Sequence, residues 1–182
     1  GARQVNPDAN LTVVFTGAWN DPVKERAAAE ALAEQGVDVI GQHVDTPTPQ
    51  IVAQEKGIYA TGHHRDSTEF SAATQCSSAW IWDQFLVPEI KKIVAGGWEP
   101  NPWGALLSIK DGGTDIACCG EAVNEELKGK VMAERDAILA GKQIFAGPLS
   151  DASGQERVAA GEVLGDGDLF GMDWFVSGII TQ

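Results

Sequence analysis

Apolar residues in the first third of the chain form short runs typical of strands, separated by segments in which apolar residues recur at helical spacing. The run at 11–16 is rich in β-branched residues and lacks polar alternation, as a strand covered on both faces requires. The predicted order is strand, helix, strand, helix, strand, at 11–16, 21–36, 37–40, 49–56 and 58–62. This βαβαβ order predicts an α/β fold whose three strands are adjacent and parallel, with right-handed crossovers.

The first predicted helix has clear signals at both ends. Asp21 followed by Pro22 predicts the N-cap and the first helical residue, and Gly36 suits the position just past the last turn. Its apolar face is predicted to consist of Val23, Ala27, Ala28, Ala31 and Leu32.

Beyond residue 66 the pattern changes. The predicted elements are an extended segment at 73–82, helices at 83–95 and 124–140, a strand at 106–109, a hairpin of 144–146 and 155–158 around a turn at 151–154, and a last helix that is capped by Asp166 or Asp168 and runs to Gly178. In the helix at 124–140 the residues expected to face inward are Leu127, Val131, Ile138 and Leu139. The segment 74–95 carries large apolar residues that need covering, so we expect an exposed apolar face that another chain covers.

Composition excludes several classes of protein. The 182 residues are 43% hydrophobic, and no apolar run approaches the roughly 18 residues that a membrane span needs. A net charge of −13 has the wrong sign for neutralising phosphates, so no nucleic-acid partner is expected. The chain begins without an initiator Met or a signal peptide, from which we expect that an upstream part is missing.

The chain has three cysteines, Cys76, Cys118 and Cys119. Cys118 and Cys119 are adjacent and suit a vicinal disulfide, or one of them a bond to Cys76, but free buried thiols are the favoured interpretation. No spacing supports a zinc site, and His63 and His64 would point to opposite faces of a strand, so no metal site is expected. No nucleophile elbow, Cys-His signature or phosphate loop is present, so we expect neither an enzyme nor a cofactor.

Ligands of open parallel sheets bind outside the carboxyl ends of the strands, which directs attention to the loops at 17–21, 42–46 and 62–66. Trp19 offers a flat face for stacking on a planar ring, although packing within its own lobe suits it equally well. Trp80 and Trp82 would face one side of an extended segment, as a ligand wall or as core. The polar candidates for the same site are Asn20, His43, Asp45 and Asp66.

Four segments carry a resemblance to a known family: Gly17-Ala-Trp-Asn-Asp-Pro22, Gln35-Gly-Val-Asp-Val-Ile40, Glu55-Lys-Gly-Ile-Tyr59 with Gly62, and the closing 171–178. The chain resembles the basic membrane protein (Bmp) family, whose members are substrate-binding lipoproteins of ABC importers. The resemblance implies a type I periplasmic-binding-protein fold with two Rossmann-like lobes. Residues 1–72 would form the C-terminal lobe and 73–182 the crossover to the first lobe and a C-terminal extension, with the N-terminal lobe missing.

The resemblance also implies a function and site residues. Trp19 corresponds to the aromatic residue that stacks on the base, Asp66 to the binding carboxylate, and Trp80 stands where nucleoside binders have a lysine, which favours a bare nucleobase or another planar ligand. The implied function is binding of a purine nucleoside or nucleobase for an ABC permease, in the periplasm or at the cell surface, with a lipid anchor in the missing N-terminus. A sugar receptor of the same fold is the alternative, and an α/β hydrolase or transferase is less favoured.

Overall fold

The computed structural model describes residues 1–102 and 104–181. It contains, in chain order, α1 (Ala2–Val5), β1 (Leu11–Val13), α2 (Pro22–Glu34), β2 (Val39–Gly41), α3 (Thr48–Lys56), β3 (Tyr59–Gly62), β4 (Thr74–Trp80), α4 (Trp82–Val94), β5 (Thr114–Cys118), α5 (Glu125–Leu139), β6 (Leu149–Ser150), β7 (Glu156–Val158), α6 (Asp166–Phe170) and β8 (Ile179–Thr181). None of the helices in these two ranges is long and apolar enough to cross a membrane.

Contacts divide the chain into two compact units. One unit consists of residues 16–140, and the other combines residues 1–15 with 141–182. The predicted boundary between residues 72 and 73 does not coincide with this division, since β4 pairs with β3 in the first unit. A lobe boundary at that place stays a prediction.

The unit of residues 16–140 is built on a four-stranded sheet in the order β2-β3-β4-β5. β2, β3 and β4 run parallel, and β5 pairs antiparallel with β4. The predicted strands at 37–40 and 58–62 are therefore confirmed as parallel neighbours. The strand predicted at 106–109 is wrong, because 108–111 forms a turn in which Asp111 accepts hydrogen bonds from Ser108, and the strand lies at 114–118.

The predicted place of the first strand in this sheet is wrong. β1 pairs in parallel with β8 in the other unit, with Leu11 opposite Ile179 and Val13 opposite Thr181. Its β-branched run favours an extended backbone, but the run does not select a pairing partner, which depends on hydrogen bonds to a strand far away in the sequence.

The helix α2 begins as predicted, with Asp21 accepting a hydrogen bond from the backbone N–H of Lys24 and Pro22 in the first turn. Its predicted buried face is wrong, because Val23 is 80% exposed whereas Glu25 and Ala29 are buried. The Glu25 carboxylate accepts hydrogen bonds from the backbone N–H of Asp21 and from the hydroxyl of Thr46. These partners compensate the burial of a charged group and turn this side of the helix inward.

The core of this unit is small and lies between α2, α3 and the sheet. Its buried members are Ala29, Ile40, Val52, Ala53, Ala60 and Ala73, with Val37 and Ile58 packed against them. Arg26 of α2 donates two hydrogen bonds to the carboxylate of Glu55 on α3, which fixes the two helices together on the solvent side of this core.

The helices α4 and α5 contain no buried residue. The predicted exposed apolar face is confirmed for α4, with more than two fifths of each side chain exposed at Trp82, Leu86, Val87, Ile90, Ile93 and Val94, whereas β4 is mostly buried or half-buried. That another chain covers this face stays a prediction. In α5, the expectation that Leu127 and Leu139 face inward is wrong, because both are exposed. The helix is instead tied to β5 by Arg135, which donates two hydrogen bonds to Asp115.

The unit of residues 1–15 and 141–182 contains the β1–β8 pair and a hairpin of β6 and β7. The hairpin and its turn are confirmed, with Asp151 at the turn, but its first strand is β6 and not the predicted 144–146. The Asp151 carboxylate accepts hydrogen bonds from Ser153, from Arg157 and from the backbone N–H of Gln155. The Ser153 hydroxyl first, and the Arg157 guanidinium next, lower the pKa of Asp151 to about 2.

Candidate functional site

Three parallel strands end at one edge of the sheet in the unit of residues 16–140. β2 ends at Gly41, β3 at Gly62 and β4 at Trp80, and their parallel pairing brings these carboxyl ends together. His43 and Asp45 follow β2, whereas His63 and His64 follow β3 directly. Polar and aromatic side chains thus gather at the edge where open α/β sheets bind ligands.

Six rings at this edge form a continuous series of contacts, the aromatic cluster: Trp19, His43, His63, His64, Trp80 and Trp82. His63 lies at the centre, with its ring centroid 4.2 Å from that of His43, 4.5 Å from that of His64 and 5.1 Å from that of Trp80. Trp19 extends the series from His43, and Trp82 extends it from Trp80. Separations of this size are those of packed aromatic pairs.

The rings of the aromatic cluster differ in exposure. Trp19 is 62% exposed, Trp82 is 55% exposed and Trp80 is 40% exposed, whereas His63 is only 7% exposed. The indoles therefore present free ring surface above a buried imidazole. Exposed indoles anchored on a packed base are suited to stacking on a planar or ring-shaped ligand.

Asp45 connects the loops that carry these rings. Its backbone N–H donates a 2.7 Å hydrogen bond to the carbonyl of Trp19, which fixes the Trp19 loop to the loop after β2. Its carboxylate lies 3.7 Å from Nε2 of His64. Asp45 is thus the acidic group that the structure places beside the aromatic cluster.

His64 has a backbone conformation that is rare for a residue with a side chain, with a φ of 51°. Its carbonyl accepts a hydrogen bond from the backbone N–H of Trp80, so the end of β4 helps to hold this conformation. Left-handed residues other than glycine cost free energy and are found preferentially at binding sites. The backbone of His64 therefore supports a functional role for this edge.

His63 has one ring nitrogen near a partner and one without. Nδ1 lies 3.4 Å from the hydroxyl of Ser78, and Nε2 is buried with no hydrogen-bond partner among the described residues. Burial first, and the nearby His43 and His64 next, lower the pKa of His63 to about 4, whereas Asp45 opposes the shift. The imidazole of His63 is neutral at neutral pH and offers an unsatisfied polar atom.

The predicted site residues do not all meet. Trp19, His43, Asp45 and Trp80 are brought together, but Asp66 lies in its own turn, where its carboxylate accepts hydrogen bonds from the N–H and the hydroxyl of Thr68. These bonds lower the pKa of Asp66 and occupy one of its oxygens. Asn20 is exposed beside Trp19. A ligand role for each of the six residues stays a prediction.

His63 and His64 are not among the predicted site residues, and strand alternation, which places adjacent side chains on opposite faces, was the argument against a metal site there. Both lie beyond the end of β3 at Gly62, so strand alternation does not apply and their rings are tilted by only 35° to each other. The signal in the sequence was their place immediately after a strand that ends in glycine, in a loop that open α/β sheets use for binding.

The cysteines differ from the favoured interpretation of three free thiols. Cys118 and Cys119 form a disulfide, and Cys76 is free. The three sulfur atoms lie within 4.8 Å of one another. Because two of them are joined in the disulfide and are not thiolates, they do not form a set of metal ligands in this state, and the expectation of no metal site stays a prediction.

A separate cavity of about 400 Å³ lies on the same unit. Its lining residues are Gln54, Thr68, Glu69, Phe70, Ser71, Ala72, Thr74, Cys119, Gly120 and Glu121. None of these residues belongs to the aromatic cluster, so the cavity and the cluster are two distinct features of the described residues.

Comparison with known proteins gives a family match. The model of the Bmp family, described as ABC transporter substrate-binding protein PnrA-like, matches residues 1–144. A purine-binding protein of Brucella abortus (strain 2308) is 33% identical over 98% of this chain and 51% of its own length. A Haloferax volcanii protein whose name gives it as an ABC transporter glucose-binding protein is 33% identical over 76% of this chain and 35% of its own length. The chain thus spans about half, or less, of these two relatives.

Solved structures of solute-binding proteins share the fold. An ABC transporter solute-binding protein from Conexibacter woesei matches with a TM-score of 0.59 and 19% identity, over 78% of this chain and 48% of its own. One from Aeropyrum pernix K1 matches with a TM-score of 0.53 and 18% identity, over 74% of this chain and 47% of its own. At these identities the likeness shows the fold alone, which is that of type I periplasmic-binding-like proteins.

Proposed function

Because the chain belongs to the Bmp family of PnrA-like ABC transporter substrate-binding proteins, we propose that it forms one side of a site that binds a purine nucleobase or nucleoside for an importer. The purine-binding relative, 33% identical over 98% of the chain, supports this ligand class. In this role no bond is made or broken, and the protein passes its ligand to the permease of the transporter.

The observation that carries the proposal is the aromatic cluster. Trp19 and Trp80 expose ring surface at the edge of the sheet, and a purine is a flat ring of matching size. Trp80 contacts the buried ring of His63 and Trp19 contacts the exposed ring of His43, and these contacts restrict the two indoles before a ligand arrives. Stacking surfaces fixed in advance bind more tightly because less side-chain freedom is lost on binding.

Polar groups beside the rings fit the edge of a purine. Asp45 accepts hydrogen bonds, and the imidazoles of His43 and His64 both donate and accept. Purines carry ring nitrogens and exocyclic groups of both kinds along their edges. Asp66 lies in the loop that follows His64. Its Oδ1 accepts both hydrogen bonds from Thr68, and its Oδ2 is proposed as a further acceptor for the ligand.

The exposed face of α4 fits the two-lobed architecture of such proteins. The chain spans about half of its purine-binding relative, and a second lobe of that length would supply the surface that covers Ile90, Ile93 and their neighbours. We assign this face to contact with the other lobe, and the ligand to the space between the lobes. The protein would work outside the cytoplasm, held at the membrane by a lipid anchor.

A sugar is the second candidate ligand. The glucose-binding name of the Haloferax relative favours it, and exposed indoles also stack on the apolar faces of pyranose rings. A sugar would use the carboxylates of Asp45 and Asp66 for its hydroxyl groups. Purine binding is expected to depend more on ring stacking than sugar binding does, and the two ligand classes also differ in optical absorption.

Isothermal titration calorimetry on the protein with both lobes tests the proposal. Adenine, adenosine, hypoxanthine and glucose are titrated into the wild type and into Trp19→Ala. We expect the purines to bind and Trp19→Ala to weaken them at least tenfold, about 1.4 kcal/mol. Trp98→Ala is the matched control, because Trp98 is an exposed indole outside the aromatic cluster that bonds to Glu89.

Two results would contradict the proposal. If glucose binds and none of the purines does, the ligand is a sugar and not a purine. Equal purine affinity in the wild type and in Trp19→Ala would show that the aromatic cluster is not the site. Loss of affinity in Trp98→Ala as well would point to a general effect of removing an indole.

A further inference from the structure

Cys76 and Cys118 occupy opposite positions on neighbouring strands. The antiparallel register of β4 and β5 pairs Cys76 directly with Cys118, and their sulfur atoms lie 2.6 Å apart. Cys118 is at the same time bonded to Cys119. The sulfur of Cys118 is therefore bonded to that of Cys119 and also contacts the free thiol of Cys76.

The loop after β5 is held against β4 by Gln75. The carbonyl of Gln75 accepts a 2.7 Å hydrogen bond from the backbone N–H of Gly120, and its side-chain oxygen accepts one from Ala122. A Cβ at Gly120 would meet the backbone of Thr74, so only glycine allows this approach. Cys119 is thereby kept beside the free thiol, and the three sulfur atoms stay within 4.8 Å of one another.

We propose that the three cysteines share a single disulfide that exchanges between two pairings, Cys118–Cys119 and Cys76–Cys118. In the exchange, the thiolate of Cys76 attacks Sγ of Cys118, the Cys76–Cys118 bond forms, and the Cys118–Cys119 bond breaks. The electron pair of the broken bond leaves with Sγ of Cys119, which takes up a proton, while Cys76 has given one to solvent. One disulfide and one thiol are present before and after, so no oxidant or reductant is consumed.

The exchange changes where the free thiol lies. In the first pairing it belongs to Cys76, which is partly buried in the sheet and whose pKa burial raises. In the second pairing it belongs to Cys119, which lines the cavity of about 400 Å³ together with Gly120, Phe70 and Ser71. The cavity thus becomes a site for thiol-directed modification only while the second pairing is populated.

Peptide mapping distinguishes the two pairings. Trypsin places Cys76 in the peptide 66–91 and the other two cysteines together in the peptide 111–128. The first pairing keeps these peptides separate and makes 111–128 lighter by two hydrogens, whereas the second pairing joins them into one cross-linked product. The protein is incubated at a pH of about 8.5, where thiolates form, then denatured in acid and alkylated with N-ethylmaleimide before digestion.

We expect both products from the wild type, with the cross-linked peptide at no less than roughly 0.1 per cent, the low end of a minor state. A cross-linked fraction below that level, or three alkylated cysteines without a disulfide, would overturn the proposal. The variant Cys119→Ser, treated with oxidised glutathione as the two-electron oxidant, checks that Cys76 and Cys118 can form their bond, and its product must be the cross-linked peptide alone.

Labelling of the native protein gives the second readout. Iodoacetamide added to the folded wild type is expected to modify Cys119 over time, because each passage through the second pairing exposes that thiol. In the matched variant Cys76→Ser the attacking thiol is missing, so Cys119 is expected to stay unlabelled. Equal labelling of Cys119 in the variant and the wild type would overturn the exchange, because it would show that the disulfide opens without Cys76.

Discussion

The core around α3 and the helix α4 are both apolar, yet they have opposite surroundings. Val52 and Ala53 of α3 are fully buried between α2 and the sheet. Ile90 and Ile93 of α4 are larger and more apolar, and more than half of each side chain is exposed. Apolar residues at helical spacing therefore predict a face that needs covering, but they do not predict whether the same chain covers it.

The difference has a functional meaning within this family. The core around α3 is covered by the same chain, and this lets the sheet edge that carries the aromatic cluster keep its shape. An apolar helix left open is a surface for something else to pack against, for which the second lobe of the longer relatives is the proposed partner.

The largest effect on the free energy of unfolding is expected when a lysine is placed in the core around α3 and, for comparison, in α4. Val52→Lys buries an ammonium group without a partner and should destabilise the unit of residues 16–140 by about 4 kcal/mol or abolish folding. In residues 1–182 alone, Ile90→Lys should change the free energy of unfolding by less than about 0.5 kcal/mol, because more than half of the Ile90 side chain is exposed. Urea unfolding followed by circular dichroism measures both, and similar losses would show that α4 is covered within this chain.

A smaller effect is expected from adding one methyl group. Gly62→Ala places a Cβ against Ser67 and Ser77 at the end of β3, which should cost about 1–3 kcal/mol and weaken ligand binding. Gly129→Ala lies in the open helix α5 with nothing within 4 Å, and should stabilise the protein by about 0.5–1 kcal/mol. Thermal unfolding of the two variants compares them. A stabilising Gly62→Ala would contradict the close packing of β3 on β4.

A further effect is a dependence of the free energy of unfolding on pH at the boundary of the closed core. His63 has a pKa of about 4 in the folded protein and 6.5 when unperturbed, so the unfolded chain binds its proton first. The stability associated with neutral His63 is therefore complete above pH 6.5 and is lost as the pH falls from 6.5 towards 4. The free energy of unfolding, measured at a series of pH values, should show this decline, and the decline should be smaller in His63→Gln. If the free energy falls equally steeply in that variant, the decline belongs to other groups.

Local signals in the sequence sufficed for α2, α3, α4 and α5 and for β2, β3 and β4. The helix α1 was not predicted, and the last predicted helix is wrong in its cap and extent, because α6 has Gly165 as its N-cap and ends at Phe170. Asp21 and Pro22 begin α2 as predicted, and Gly57 ends α3 in the left-handed conformation that glycine adopts readily. The pairing of β1 with β8 and the burial of Glu25 were not predictable from local pattern. Both depend on partners far away in the chain, namely Ile179 and its neighbours for β1 and Thr46 for Glu25.

The location of the candidate site was predictable from the sequence, but not all of the residues that form it were. The loops after β2 and β3 were expected to converge, and Trp19, His43, Asp45 and Trp80 do lie together there. The parts not predicted depend on backbone detail, since His64 adopts a positive φ beyond the end of its strand. No hydrophobic or polar pattern encodes that conformation for a residue other than glycine.

A crystal structure of the protein with both lobes, grown with adenine or adenosine, tests the central claim most directly. We predict that the purine ring stacks on Trp19 or Trp80 at about 3.5 Å, with a polar edge towards Asp45, His43 or His64. A purine bound elsewhere, for instance in the cavity lined by Cys119, with the aromatic cluster unoccupied, would contradict it.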